Sequence, residues 1–310
     1  MPQILYGLYP PDAKKTAAPW EIAIRSGVEE TLLPKTKSCA RLAELVREFS
    51  REASKKWNGS DEMKYLSEKI GVWMPDNKPL ALDSGSRLSA VMDSINATAA
   101  HGPDTRLPDE FYDEKVQRTI ERIVMDQDFH GYSTSRELRT LGMGPLVGDM
   151  VLKMVDQVDW DRGYGIGSRP PPRLSLLGCH DRTIGAVLAS IGCLDVDERW
   201  PRFTSHIVFE LFRKRSTPDS PSTSQVRLQL PKNDDADLSP TTGQGTANEP
   251  RDIGRRSVKD LTTEEVHRLD EYFVRVRYND RTMIVPGCRE DGKNLDGDAG
   301  FCTLVSCRIR

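Results

Sequence analysis

The sequence predicts a mixed α/β fold, and three observations carry that expectation. The first two thirds hold several segments with apolar residues at i, i+3, i+4 and i+7, the signature of helices with one buried face. Near residue 175 a short apolar run leads directly into another such helix, a strand-turn-helix pattern. The last third contains two runs of period-two alternation. At 310 residues and 37% hydrophobic, the chain is long enough for one large α/β domain with a helical insert and apolar enough for a core.

Residues 38–57 read as a helix capped by Ser38, with Leu42, Leu45, Val46, Phe49, Ala53 and Trp57 on one face. Leu88, Val91, Met92, Ile95 and Ala99 make a second face, and Val116, Ile120, Ile123 and Val124 a third. Val147, Met150, Val151, Met154, Val155 and Val158 define a long helix suited to pack on a sheet, its methionines serving as core fillers. Leu174, Leu176 and Leu177, after the stop Pro170-Pro171-Pro172, read as a buried parallel strand. Ile184, Val187, Leu188 and Ile191 then form an amphipathic helix, with Asp181 able to cap its first turn and Gly192 ending it. Two strands follow, around Ile207–Phe212 and Val274–Tyr278. They are expected to pair as an antiparallel hairpin with Glu210 meeting Arg275 or Arg277. Between them, residues 216–257 are rich in Ser, Thr, Pro, Asp, Gly and Gln and are expected to be a disordered insert.

Cys179-His180-Asp181 lies at the junction of the expected strand and helix. That edge of an open α/β sheet holds ligands, and a helix start offers free N–H groups and the positive end of its dipole to an anion. An imidazole and a carboxyl group there suggest phosphate chemistry. Each also has a plain structural role, the Asp as a cap and the His as a satisfied residue beside a strand.

The wider pattern narrows the choice. The segments "LSLLGCHDRTIGAVLASIG", "RWPRFTSHIVFELF", "FVRVRYND", "VPGC" and "FCTL" resemble, in order and spacing, the C-terminal half of the histidine acid phosphatases, the second branch of the histidine phosphatase superfamily. "GLYPP" at 7–11 resembles the stretch after that family's Arg-Ser-Thr-Asp segment. "RELRTLGMGPLVGDMVLKM" resembles the long helix before its His-Asp strand, most closely in the lysophosphatidic acid phosphatase branch.

The resemblance implies a phosphoglycerate-mutase-like three-layer α/β sandwich with a helical cap subdomain over the ligand edge. The expected divisions are a truncated start of the α/β domain at 1–37, the cap subdomain at 38–137, the phosphatase core at 138–215 and 258–310, and the insert at 216–257. It implies that His180 binds the transferred phosphoryl group and that Asp181 is the general acid, with Thr183 a small polar neighbour of the pair. It also implies a Cys288–Cys302 disulfide, no metal and no cofactor.

The chemistry fits those residue types. An alkoxide leaves poorly, and a positioned carboxylic acid that protonates it contributes roughly 10²–10⁴ in rate. Cationic and hydrogen-bonding groups stabilise the phosphoryl oxygens. The family's nucleophile, however, is the His of an Arg-His-Gly-x-Arg-x-Pro motif, and no Arg-His-Gly occurs in the 310 residues. None of His101, His130, His206 and His267 stands in that arrangement of flanking arginines. Losing the nucleophile from a cooperating set removes on the order of 10⁶ in rate. The polypeptide is therefore expected to be nearly inactive, with the first central strand of the sheet missing and strand edges left open.

Composition excludes several classes. A net charge of −3 and a pI near 6.0 argue against nucleic acid as a partner, and Arg213-Lys214-Arg215 is too short a basic run to reverse that. No apolar run reaches membrane-spanning length, and no signal-peptide pattern opens the sequence. Cys179 and Cys193 read as small buried apolar residues. Gly163–Gly167 has the glycine spacing of a dinucleotide loop but precedes a proline run instead of a helix. "NLDGDAGF" approaches a calcium loop, but Ala299 stands at the turn-glycine position and Val305 at that of the bidentate glutamate.

Two functional classes remain. One is a phosphomonoester hydrolase that retains the His-Asp half of its site and is expected to act, by the branch resemblance, on a lysophospholipid phosphate and as a monomer. The other is a non-catalytic phosphate-ester-binding or interaction protein.

Overall fold

A computed structural model describes Ile4, Gly7 and residues 24–74, 79–83, 87–165, 170–194, 199–214, 253 and 256–307. Its helices are α1 (Ala40–Trp57), α2 (Asp61–Ile70), α3 (Leu88–His101), α4 (Glu114–Thr134), α5 (Arg136–Gly142), α6 (Gly144–Asp161), α7 (Asp181–Ser190), α8 (Thr263–Leu269) and α9 (Leu304–Cys307). Its strands are β1 (Ile207–Arg213), β2 (Tyr272–Tyr278), β3 (Arg281–Met283), β4 (Asn294–Leu295) and β5 (Asp298–Thr303). The fold is mixed α/β.

The periodic faces become buried faces. Leu42, Leu45, Ala53 and Trp57 of α1 are buried, as are Leu88, Met92 and Ile95 of α3 and Val116, Ile120, Ile123 and Val124 of α4. Val46 and Ala99 are exposed at the margins of their faces. The cap of α1 is displaced by one residue from the expectation. Cys39 and Ser38 both donate their backbone N–H to the Lys35 carbonyl, so a turn occupies Ser38 and leaves Cys39 at the cap position without a side-chain acceptor. An unforeseen helix, α2, begins after Asn58-Gly59, where the Ser60 hydroxyl accepts from Met63 N–H. The expected single helix around 136–158 is two helices that meet at Met143. Pro145 lies in the first turn of α6, and it could not donate to a carbonyl of a continuing α5.

α7 is terminated as its glycine demands. Cys193 N–H donates to the Leu188 carbonyl at 2.8 Å and Gly192 N–H to that of Ala189 at 3.1 Å, with Gly192 at φ +73°. That is a Schellman closure, in which a left-handed residue is needed.

The strands form one antiparallel sheet in the order β1-β2-β5-β4, with β3 also on β2. β1 and β2 pair as expected, in the register Ile207↔Tyr278 to Arg213↔Tyr272. Glu210 lies opposite Arg275 and reaches it at 2.7 Å and Arg277 at 3.4 Å, a cross-strand contact worth roughly 0.2–1 kcal/mol. The calcium-like sequence is a hairpin: Asp296 and Gly297, both at positive φ, make the two-residue turn joining β4 to β5.

Two apolar cores result. One gathers α1 to α5 with Ala186, Val187 and Ala189 of α7 and Trp200. The other gathers α6, α8, α9 and the sheet with Leu188 of α7 and Ile191 at its C-cap. α7 thus lies between the cores and contributes to both. Its approach to α4 depends on Gly185, where an added Cβ would overlap the Phe129 ring.

Two expectations are overturned around 174–179. Leu174, Leu176 and Leu177 form no ladder with any described residue and are 59%, 39% and 42% exposed, so the buried parallel strand is not present. An apolar run is buried as a strand only when neighbouring strands take up its N–H and C=O groups and layers cover its faces. Cys179, on the same stretch, is exposed for the same reason, whereas Cys193 is buried.

Residues 215–252, most of the expected disordered insert, lie outside the described residues, as do 166–169 of the glycine-rich segment. The insert's ends are fixed. Lys214 N–H donates to the Glu271 carbonyl at 2.8 Å, and Ile253 is buried in the second core. Cys288 and Cys302 are joined by a disulfide between the segment before β4 and β5.

Two stability outcomes follow. Gly185→Ala adds helix propensity but overpacks against Phe129, so a net loss of roughly 1–3 kcal/mol is expected in urea denaturation; a gain would show that α7 does not sit this close to α4. Replacing both Cys288 and Cys302 by Ala opens a short loop, and a loss of roughly 2–4 kcal/mol is expected by the same measurement under non-reducing conditions.

Candidate active site

His180 is the N-cap residue of α7 and Asp181 its first residue. His180 takes the cap's extended backbone, φ −92° and ψ 161°, and its side chain is exposed to solvent. Its carbonyl accepts from the N–H groups of Thr183 and Ile184, at 3.0 and 3.2 Å. The expected capping role of Asp181 is therefore taken by position 180, and without a side-chain hydrogen bond.

Asp181 is half-buried and held at both oxygens. Oδ1 accepts from Arg182 N–H at 2.7 Å, and Oδ2 accepts from the Trp200 indole N–H at 2.7 Å. One of the helix-start N–H groups expected to face an anion is thus already used by this carboxylate. Thr183 is buried, and its hydroxyl donates to the Leu32 carbonyl at 3.1 Å. That bond ties the segment before α1 to the first turn of α7. Thr183 therefore has a fastening role and does not face the open side of the pair.

Two further charged residues approach from other helices, Asp128 of α4 and Asp93 of α3. Arg182 reaches Asp128 of α4, Nη2 to Oδ2 at 3.3 Å. The Asp128 carboxyl is only 17% exposed, and burial pushes it up from its ordinary value of 3.8 to about 6; Arg182 opposes this, while Asp93 and Asp181 reinforce it. Burial also raises Asp93 of α3, helped by the charge of Asp181 and opposed by Arg182. Burial, with the Asp128 charge, pushes the Tyr132 hydroxyl up to about 12. Two carboxyls of the helical half thus lie near His180-Asp181, Asp128 in contact with the Arg182 guanidinium and Asp93 within its electrostatic reach.

Sequence reasoning missed Asp93, Asp128 and Trp200. A signal for Asp128 exists, since Val124, Asp128 and Tyr132 stand at i, i+4 and i+8 and place an acid on the buried stripe of α4. Trp200 lies in "RWPRF", within the segments that carry the family resemblance.

The arrangement can hold a carboxyl in a fixed orientation beside an exposed imidazole at a helix start, which suits proton delivery next to an anion. Two concavities lie elsewhere. One is apolar and lined by Val147, Met150, Val151, Met154 and Phe209 among others, between α6 and the sheet. The other is charged and lined by Lys69, Arg106, Asp109, Glu110, Tyr112 and Asp113. Among the described residues no group of three His, Cys, Asp or Glu side chains is arranged to hold a metal ion. No helix among them is long and apolar enough to cross a membrane.

The raised Asp128 has a thermodynamic consequence. A carboxyl whose folded pKa lies above its unfolded value favours the fold most below about pH 4, and that advantage is lost as pH rises through about 6. Roughly 1–3 kcal/mol is at stake. Asp128→Asn is therefore expected to stabilise the protein at pH 7.5 by about that amount and by only about a third as much at pH 4.5, as read from urea denaturation at both pH values. An equal effect at the two would show that Asp128 titrates normally.

No family model matches the chain. The chain is similar to a probable acid phosphatase of Schizosaccharomyces pombe, with 32% identity over 303 residues, a match that takes in 97% of this chain and 60% of the yeast protein. The chain thus spans about three fifths of the length of that relative.

Proposed function

We propose that this chain carries the proton-donating half of a phosphomonoester hydrolase of the histidine acid phosphatase type. The observation that carries the reading is the His180-Asp181 pair at the start of α7, with the Asp181 carboxyl held at both oxygens, in a chain similar to a probable acid phosphatase. His180, exposed at the cap, contacts the phosphoryl group, and Asp181 protonates the departing alkoxide. Neither role requires a metal or a cofactor. In this reading the helices between residues 38 and 137 form a cap that borders the site, Asp93 and Asp128 being its nearest charged groups. The substrate is a phosphate monoester. A lysophospholipid phosphate is the specific ester favoured, and the resemblance to the lysophosphatidic acid phosphatase branch is its support.

No histidine in the chain has the Arg-His-Gly setting of the family's nucleophile. The chain alone therefore binds phosphate better than it turns over esters. Hydrolysis of p-nitrophenyl phosphate at pH 5 is expected near background, with inorganic phosphate still binding at the start of α7 and His180→Ala abolishing that binding in calorimetry. Turnover that disappears in Asp181→Asn would retain the assigned acid and overturn the expected inactivity. Phosphate binding indifferent to His180→Ala would remove the site.

A further inference from the structure

We infer that Trp200 is the positioning residue for Asp181: its buried indole N–H fixes the orientation of the carboxyl while the proton is carried and released. The inference rests on the reading of Asp181 as the proton donor.

The geometry is that of a closed mechanical loop. Trp200 is 3% exposed and donates from Nε1 to Asp181 Oδ2 at 2.7 Å. Its ring stacks on Phe129 of α4, with centroids 5.0 Å apart and planes inclined by 24°. Phe129 lies against Gly185 of α7, which has no Cβ to keep it away. The path from Asp181 through the indole and Phe129 thus returns to α7 about one turn further on, and indole and carboxyl are fixed to the same helix. The backbone at Trp200 is pinned on both sides. Pro201 follows it and is buried, which restricts Trp200 to extended backbone. Arg199 before it pairs with the largely buried Glu121 of α4 through two contacts, one of them Nη2 to Oε1 at 3.1 Å.

A buried indole N–H needs an acceptor, and any backbone carbonyl would serve. Here the acceptor is the carboxyl assigned the proton transfer. The indole donor does not titrate, and neither does the Arg182 amide on the other oxygen, so the orientation persists through both protonation states. Each oxygen keeps one further lone pair, and the acidic proton is carried there. As that proton leaves, both hydrogen bonds strengthen toward the carboxylate, which favours the transfer.

The test uses the full chain and the side-chain ¹H–¹⁵N resonances of its five tryptophans, with the Trp200 signal identified by its disappearance in Trp200→Phe. Asp181→Asn is expected to move the Trp200 indole signal and leave the other four in place. Inorganic phosphate is expected to move the backbone amides of His180 and Thr183 together with the Trp200 indole, and the indole response is expected to vanish in Asp181→Asn. If Asp181→Asn leaves the indole unmoved, the pairing is overturned. If phosphate moves the amides but not the indole, the site stands and Trp200 is merely structural, which overturns the inference alone. If phosphate moves neither, the reading of the site falls and the role of Trp200 with it. Should Trp200→Phe fail to fold, sequential backbone-to-side-chain NMR assignment of the wild-type chain identifies the Trp200 indole, and the same Asp181→Asn outcomes decide the pairing.

Discussion

The close approach of α7 to α4 is the constraint on which the rest depends. A ten-residue helix contributes Ala186, Val187 and Ala189 to one core and Leu188, with Ile191 at its C-cap, to the other. Such sharing requires small residues on the side facing α4, and Gly185 under Phe129 is the tightest point. The contact brings the start of α7 against Asp128 and seats Phe129 beneath Trp200. The pair at 180 and 181 is therefore oriented by packing that begins one turn further along the same helix.

The electrostatic setting follows from the same approach. Joining the two cores through α7 draws Asp93 and Asp128 of the helical half to the margin of the sheet-bearing half, where water is partly excluded. Arg182 moderates the mutual repulsion of three carboxylates without cancelling it, so burial still dominates at Asp128. Asp93 and Asp128 both favour the protonated form in the folded chain, so they are best tolerated by the fold at low pH.

Much of the fold was legible in the sequence because helical faces are local. The stripes Val116–Val124 and Val147–Val158 report their own burial through spacing alone, and the alternation of β1 and β2 similarly announced their pairing. The failures have a common physical origin in neighbours that sequence spacing does not supply. Leu174–Leu177 has strand composition, but strand burial belongs to the sheet and not to the run. Ser38 has the chemistry of a cap, but a turn through Lys35 had already placed it outside the helix. Around the candidate site His180 and Asp181 were readable as a dipeptide at a helix start. Trp200, Asp128 and Asp93 were not, because they arrive from three separate segments and meet only after α3, α4 and α7 have packed.

The anchoring of Lys214 and Ile253 bears on how this chain can vary over time. Both ends of the excursion from β1 are held by the folded body, one by a backbone hydrogen bond and one by burial. Whatever conformation residues 215–252 adopt, a doubling of such a connection adds only about 0.6 kcal/mol of closure entropy. Insertions and deletions between the two anchors are therefore nearly neutral for stability, whereas a polar replacement of Ile253 would strike the second core. The length between those anchors can therefore change at little cost to the fold, provided the anchors themselves are kept.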